Sequence, residues 1–211
     1  MAASRRLGLG IALGVSLAAV VIWSAIRPAD MLVWWMEALP ALVAAALIAF
    51  FWRRFPLSDL LLVLVWIHAV ILLVGAHYTY AEVPIGDWAR DAFGFARNHY
   101  DRLGHLAQGF VPAIAARELL LRLTPNRPGG WLFAVVTLSC LGISALYEVI
   151  EWLAAELVAG GAVAFVAAQG DVWDAQKDMT LAGIGAIAAQ LLLARLHDRR
   201  MAALDSRAAA P

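Results

Sequence analysis

Six long apolar runs set the architecture of this chain; most of the polar breaks between them are short, but two outer loops, Tyr78 to Tyr100 and Glu156 to Lys177, are long. Crossing a bilayer takes roughly 20 predominantly apolar residues at about 1.5 Å each, and six segments approach that length. Leu7 to Ile26 carries no charge, and Met31 to Trp52 carries only Glu37, near its start. Leu60 to Gly75 is rich in Leu and Val and contains His68. Leu103 to Leu123 is the weakest, since Arg117 and Glu118 interrupt it and Pro112 should bend it. Trp131 to Leu153 stays apolar until Glu148, and Met179 to Leu196 closes the set. The pattern predicts an all-α, polytopic transmembrane bundle of about six helices. It forms one domain over residues 1–200, followed by a disordered Ala-rich tail over 201–211.

Arg5 and Arg6 before the first run imitate a signal peptide. The run is long, however, and the stretch from Trp23 to Pro28 lacks a small-x-small cleavage site, so it is read as the first span. Lys and Arg in the short loops then set the orientation. With the N-terminus cytoplasmic, eleven of the sixteen basic residues fall on the inner side: Arg5, Arg6, Arg53, Arg54, Arg117, Arg122, Arg127, Arg195, Arg199, Arg200 and Arg207. Both termini are therefore placed in the cytoplasm. Only four acids share that side, so twelve of the sixteen gather on the outer one.

Composition agrees with a bilayer protein. The chain has 211 residues, 63% of them hydrophobic, nine tryptophans and a mean hydropathy of +0.77. Most of the tryptophans fall at predicted span ends, as interfacial aromatics do. The lone Cys140 can form no disulfide within the chain and reads as a packing residue. Nucleic-acid binding finds no support, because the basic surface is the ordinary cytoplasmic one.

Four polar clusters break the apolar pattern, and the topology puts all of them at the outer ends of helices. His77, Tyr78, Thr79, Tyr80 and Glu82 end the third helix; an interfacial belt is the plainer account of them. Asp101 and His105 enter the fourth helix four residues apart, so they share a face. Such a pair can hold a divalent metal or act as an acid–base couple; a helix cap beside a packing histidine would look the same. Glu148 and Glu151, on one turn of the fifth helix, either share a proton or hold a cation. Asp171, Asp174 and Asp178 form a stripe at i, i+3 and i+7 if the sixth helix begins early. Oxygen-rich groups of this kind suit Mg²⁺ or Mn²⁺, and His105 would admit Zn²⁺. Polar groups are costly next to hydrocarbon, so their gathering at one depth points to a site. Glu37 lies near the same depth, and Gly104, Gly183 and Gly185 would allow close helix approach there.

His77-Tyr-Thr-Tyr-Ala-Glu-Val-Pro, Phe93-Gly-Phe-Ala-Arg-Asn-His-Tyr-Asp-Arg, Tyr147-Glu-Val-Ile-Glu-Trp and Gly170-Asp-Val-Trp-Asp-Ala-Gln-Lys-Asp-Met resemble the YjdF family of bacterial inner-membrane proteins. The resemblance spans nearly the whole chain. It implies a multi-pass inner-membrane protein; since that family has no known function, no catalytic residues carry over from it. More loosely, Asp101 to His105, Glu148 and Glu151, and Asp174 to Asp178 followed by Gly183 and Gly185 are similar to VanZ-like proteins of the cell envelope. The second glutamate, Glu151, and the additional aspartates depart from that pattern.

Three functions compete on these residues. A metal-dependent hydrolase or transferase would act on a lipid or lipid-linked envelope molecule. Its divalent Zn, Mg or Mn would be held by His105, Asp171, Asp174 and Asp178, with Glu148, Glu151 and Asp101 catalytic. Arg97, Arg102, His77, Tyr80 and Glu82 would bind the substrate. A structural or regulatory membrane subunit would use the same groups only to pin helices. A cation or proton transporter is disfavoured, because the inner halves of the helices offer little beyond His68 and Gln190. Oligomeric state is left open.

Overall fold

A computed structural model describes residues 2–157 and 168–208. Among these, seven α-helices form: α1 (Ala2–Ala25), α2 (Met31–Phe51), α3 (Asp59–Tyr78), α4 (Pro84–Phe93), α5 (Tyr100–Leu123), α6 (Gly130–Leu157) and α7 (Asp174–Ala208). A 3₁₀ turn, Tyr80–Glu82, joins α3 to α4. Five of the helices are long and apolar enough to cross a membrane by composition alone. The sixth span is α5. As a span it is less apolar than the other five, yet its Asp101, His105, Arg117 and Glu118 are all buried, because α5 packs against α3, α6 and α7. The described chain is thus the polytopic helical bundle that the apolar runs predict. α1, α3 and α6 end, and α2, α5 and α7 begin, at what we call the acidic end.

Local chemistry fixes the helix starts. Asp30 caps α2, accepting from the N–H groups of Leu32 and Val33 at 2.7 and 3.0 Å. Ser58 caps α3 through the Leu61 N–H. Thr79, at φ 63, stops α3 and turns the chain into the 3₁₀ segment. The long loop read between the third and fourth spans holds α4, which exposes Ile85, Trp88 and Phe93 while burying Gly86. An amphipathic helix with that outer face suits the headgroup boundary.

α7 begins at Asp174, a full turn before the Met179 start read from the apolar run, and it continues through Ala208. Helix therefore covers positions 201–208, and 209–211 lie outside the described residues. Much of the second long loop, residues 158–167, lies outside them as well.

Close packing concentrates on α5 and α7. A Cβ on Gly185 would collide with the Leu106 carbonyl and reach 2.8 Å from the Phe110 nitrogen, and one on Gly109 would strike the Ala182 carbonyl. Backbone meets backbone there, as small residues permit between membrane helices. A core of Leu61, Ile114, Leu132, Val136, Cys140, Ala186 and Ala189 fills the space between α3, α5, α6 and α7. The buried Cys140 is one of its packing groups.

Candidate cation site at the acidic end

The approach to α5 is fixed before its first turn. Asn98 is fully buried, and its side-chain amide donates to the Val83 carbonyl (3.0 Å) and to Asp87 (3.1 Å). Its side-chain oxygen accepts from the Tyr100 N–H at 3.0 Å. The backbone of Asn98 is clasped by Gln169, which accepts from its N–H (3.1 Å) and donates to its carbonyl (2.9 Å). Gln169 holds a left-handed φ of 48 to do so. One residue thus ties α4, α5 and the turn before α7 together.

An ion-pair lattice continues from this clasp. Arg97 donates to Asp174 at 2.5 Å, and Arg102 donates to Asp171 at 2.8 Å and to Asp174 at 3.0 Å. Lys177 reaches Asp171 at 2.6 Å. Asp171 also caps the turn, accepting from the Trp173 N–H at 3.1 Å. The Lys177 ammonium, the Trp173 N–H and Arg102 hold the Asp171 carboxyl down at about 2. Burial lowers His99 from its ordinary value, and Arg102 and Arg97 add to the effect.

Beyond the lattice lies a second group whose charge is less well matched. Asp101 and His105 on α5 and Asp178 on α7 each present one ligating atom, and these three atoms lie within 4.8 Å of one another. All three residues are buried. His105 Nε2 stands 3.5 Å from Asp101 Oδ1 and 3.7 Å from Glu148 Oε1 on α6. Asp101 Oδ2, Asp178 Oδ1, Glu148 Oε1 and His105 Nδ1 are buried without a hydrogen-bond partner. Arg97 and Arg102 approach this group only at 3.8 Å (Asp101) and 4.0 Å (Asp178).

A cavity of about 300 Å³ adjoins the group, lined by α2, α3, α5, α6 and the 3₁₀ turn. Asp101, His105, Tyr80, Tyr147, Glu151 and Glu37 stand on its polar wall, and His68, Gln108 and Pro112 continue it along the helices. The Tyr80 ring is slotted against Gly75 and Gly104, where a Cβ on Gly104 would stand 2.9 Å from it. Glu37 is 1% exposed, and neither carboxylate oxygen has a hydrogen-bond partner. Such a group is costly to bury alone.

The residues singled out in the sequence therefore separate. Asp101, His105, Asp178 and Glu148 come together, with Glu151 and Tyr80 on the adjoining cavity. Asp171 and Asp174 sit one layer away, engaged by Arg97, Arg102 and Lys177. His77 lies elsewhere: its Nδ1 donates to the Ser24 carbonyl at 3.0 Å and its ring stacks on Trp23 at 4.5 Å. Glu82 is exposed at the end of the 3₁₀ turn. Asn98, Gln169 and Tyr147 escaped the sequence reading. Asn98 and Gln169 carry no charge and no special spacing, so only the fold reveals them.

The opposite end corrects an expectation. Far from being empty, the inner halves of α5 and α7 hold a buried network. Glu118 accepts from the Ser58 N–H (2.9 Å), the Ser58 hydroxyl (2.6 Å) and Arg122 (2.9 Å). His197 Nε2 lies 2.9 Å from Glu118, and Arg117 bonds both His197 Nδ1 (3.0 Å) and Asp198 (2.6 Å). A guanidinium can only donate, so Nδ1 accepts and Nε2–H donates to Glu118. The signal was present: charged Arg117 and Glu118 inside a span require partners.

Comparison with known proteins agrees with the helical picture. The profile of a family described as "Predicted membrane protein (DUF2238)" matches residues 9–199. The chain is 43% identical over 187 residues to "Inner membrane protein YjdF" of Escherichia coli (strain K12), covering 89% of this chain and 90% of that protein. No solved structure matches.

Proposed function

The chain belongs to the DUF2238 family of predicted membrane proteins, and from that premise we propose that its acid–histidine cluster is a divalent-cation site serving catalysis. The protein is an integral, multi-pass inner-membrane protein. The reaction is read as hydrolysis or group transfer on a lipid or lipid-linked envelope molecule, with the acidic end facing the periplasm and both termini the cytoplasm.

One observation carries the reading: Asp101, His105 and Asp178 converge within 4.8 Å, buried, with carboxylate oxygens that no hydrogen bond satisfies. Buried charges are normally paired or bound to metal. Within the cluster, the lattice and the cavity wall, seven carboxylates (Glu37, Asp101, Glu148, Glu151, Asp171, Asp174 and Asp178) stand with three Lys or Arg side chains, Arg97, Arg102 and Lys177. Two oxygens and an imidazole suit Mn²⁺ or Zn²⁺, and Mg²⁺ less closely. A cation there would polarise a phosphate or ester oxygen.

The remaining residues take distinct parts. Glu148, beside His105, is placed to accept a proton from an attacking water or alcohol. Glu151 and Glu37 supply further carboxylates on the cavity wall. Tyr80 offers a hydroxyl toward a bound headgroup. Arg97 and Arg102, engaged by Asp171 and Asp174, hold the stripe of α7 in register with α5. The proposed ligand set thereby changes from that read in the sequence: Asp171 and Asp174 leave it, and Asp101, read there as catalytic, joins His105 and Asp178.

A second reading, a structural or regulatory subunit, is favoured by that same ion-pair lattice, which joins the α4–α5 segment to α7 whether or not anything binds. Metal analysis of detergent-purified protein separates the two. Near-stoichiometric Mn or Zn, lost in His105→Ala and Asp178→Asn but retained in Asp174→Asn, supports the cation site. Metal-free protein after growth and dialysis with each cation supports the structural reading. Catalysis is then tested with metal-loaded protein and envelope lipid extract, comparing wild type with Glu148→Gln by mass spectrometry.

A further inference from the structure

A separate feature lies among α1, α2 and α3, toward the basic end. At the acidic end these helices are joined: the Trp34 indole donates to Ser24 Oγ at 3.1 Å, and Trp34, Ala38, Ala69, Leu73 and Ala76 pack against Leu17, Val20 and Val21. Toward the basic end the facing residues become small. Gly14, Ala45, Ala49 and Ala69 leave a crevice of about 650 Å³. Its wall is otherwise aliphatic and aromatic, and Leu7, Ile11 and Phe50 remain exposed beside it. Sites of roughly 300–1,000 Å³ hold a drug-sized ligand.

The basic end of the crevice differs in chemistry. Arg53 and Arg54 line it and are exposed, and among the described residues neither forms an ion pair. The Trp52 ring closes over Gly10, where a Cβ would collide with it, and Arg6 stacks on that ring at 4.2 Å. An apolar slot at bilayer depth thus ends on uncompensated guanidinium charge and an interfacial tryptophan. Guanidinium groups bind phosphate bidentately, and basic residues at a membrane surface attract anionic headgroups.

We propose that this crevice binds one anionic glycerophospholipid from the surrounding leaflet. Its acyl chains lie along Gly14, Ala45, Ala49 and Ala69, and its phosphodiester sits against Arg53 and Arg54. Charge complementarity selects the headgroup, and the missing side-chain volume selects the chains. The site is independent of the cluster at the acidic end.

Native mass spectrometry and thermal melting of delipidated full-length protein test this, with dioleoylphosphatidylglycerol and dioleoylphosphatidylcholine as probes. Wild type should retain a single phosphatidylglycerol at concentrations about tenfold below those needed for phosphatidylcholine, and should melt higher with it. Arg53→Gln with Arg54→Gln should abolish that preference; both side chains are exposed, so the fold survives. Gly14→Leu should weaken both lipids at least tenfold by filling the slot. A Cβ at Gly14 meets nothing within 4 Å, so the added side chain starts without a clash, and the melting curve of the lipid-free variant checks that it is folded. Inorganic phosphate at matched ionic strength should not compete. The proposal is overturned if the two lipids bind equally, if the double variant keeps the preference, if Gly14→Leu leaves retention unchanged, or if inorganic phosphate displaces the lipid.

Discussion

Gly185→Ala is the sharpest probe of how packing makes the acidic-end site. The added methyl would lie 2.8 Å from the Phe110 nitrogen and collide with the Leu106 carbonyl. Favourable contacts between such atoms need about 3.5–4.0 Å, so α5 and α7 must part by on the order of 1 Å. Overpacking of this kind costs about 1–3 kcal/mol, which for a chain of this size lowers the melting midpoint by about 2–12 °C. The same shift moves Asp178 away from Asp101 and His105, which lie on the other helix. Ligand positions tolerate only about 0.2 Å, so cation affinity should fall about 10- to 100-fold, as when a supporting residue is lost. Gly142→Ala is the control: its Cβ meets nothing within 4 Å, and replacing a helical glycine should leave stability unchanged or raise it by up to ~1 kcal/mol. Differential scanning fluorimetry in detergent and calorimetric titration with Mn²⁺ provide both readouts. If Gly185→Ala melts and binds like wild type, or if Gly142→Ala falls equally, backbone contact does not set the site.

Further consequences follow from other contacts. Glu118→Ala removes the acceptor of Ser58, Arg122 and His197 in a fully buried position; breaking such a cluster costs about 3–5 kcal/mol, so the melting midpoint should drop about 6–20 °C, and a drop under about 2 °C would refute the network's role. Asn98→Ala leaves the Tyr100 N–H and Val83 carbonyl without their partner and should cost about 2–4 kcal/mol, visible as faster tryptic cleavage at Arg90; unchanged cleavage counts against the clasp. Asp171 is held at about 2 against an ordinary 3.8; because the folded value is the lower one, its contribution is complete above 3.8 and is lost as pH falls through about 2. Lys177→Gln should move that transition upward, followed by NMR through the Trp173 amide, and an unmoved transition would show that Lys177 is not the main cause.

The spans were legible because hydrocarbon imposes one rule over twenty residues at a time, and that rule survives any detail of packing. That Asp101, His105, Glu148 and Asp178 share one end of the bundle was legible for the same reason. Their pairing was not. Whether Asp174 faces Arg97 or His105 depends on the rotation of α7 about its axis, and that is set by Gly109 and Gly185 meeting backbone on the other helix. Rotation by one residue is about 100°, enough to exchange a ligand for a salt-bridge partner. The early start of α7 entered the sequence reading only as the condition for an aspartate stripe, because Asp174, Gln176, Lys177 and Asp178 look like loop, although Asp171 caps that turn. α4 was missed within its loop because ten residues are too few to weigh as a span, while the spacing of Ile85, Trp88 and Phe93 carried the amphipathic signal.

The two polar clusters share the same pair of helices, and this bears on how the acidic-end site stays assembled. α5 carries Asp101 and His105 near its start and Glu118 near its end; α7 carries Asp178 and His197. At about 1.5 Å per residue the clusters stand roughly 20–28 Å apart along the two helices, approaching the ~30 Å of a bilayer's hydrocarbon core. Each helix is therefore tied to the other at both membrane boundaries, with bare backbone contact between. A pair fixed at both ends cannot slide or rotate without breaking one cluster. Unsatisfied carboxylates at the acidic end would by themselves repel and part α5 from α7. The satisfied network at the far end and the Arg97 and Arg102 lattice oppose that separation, which keeps the side chains of Asp101, His105 and Asp178 within 4.8 Å of one another.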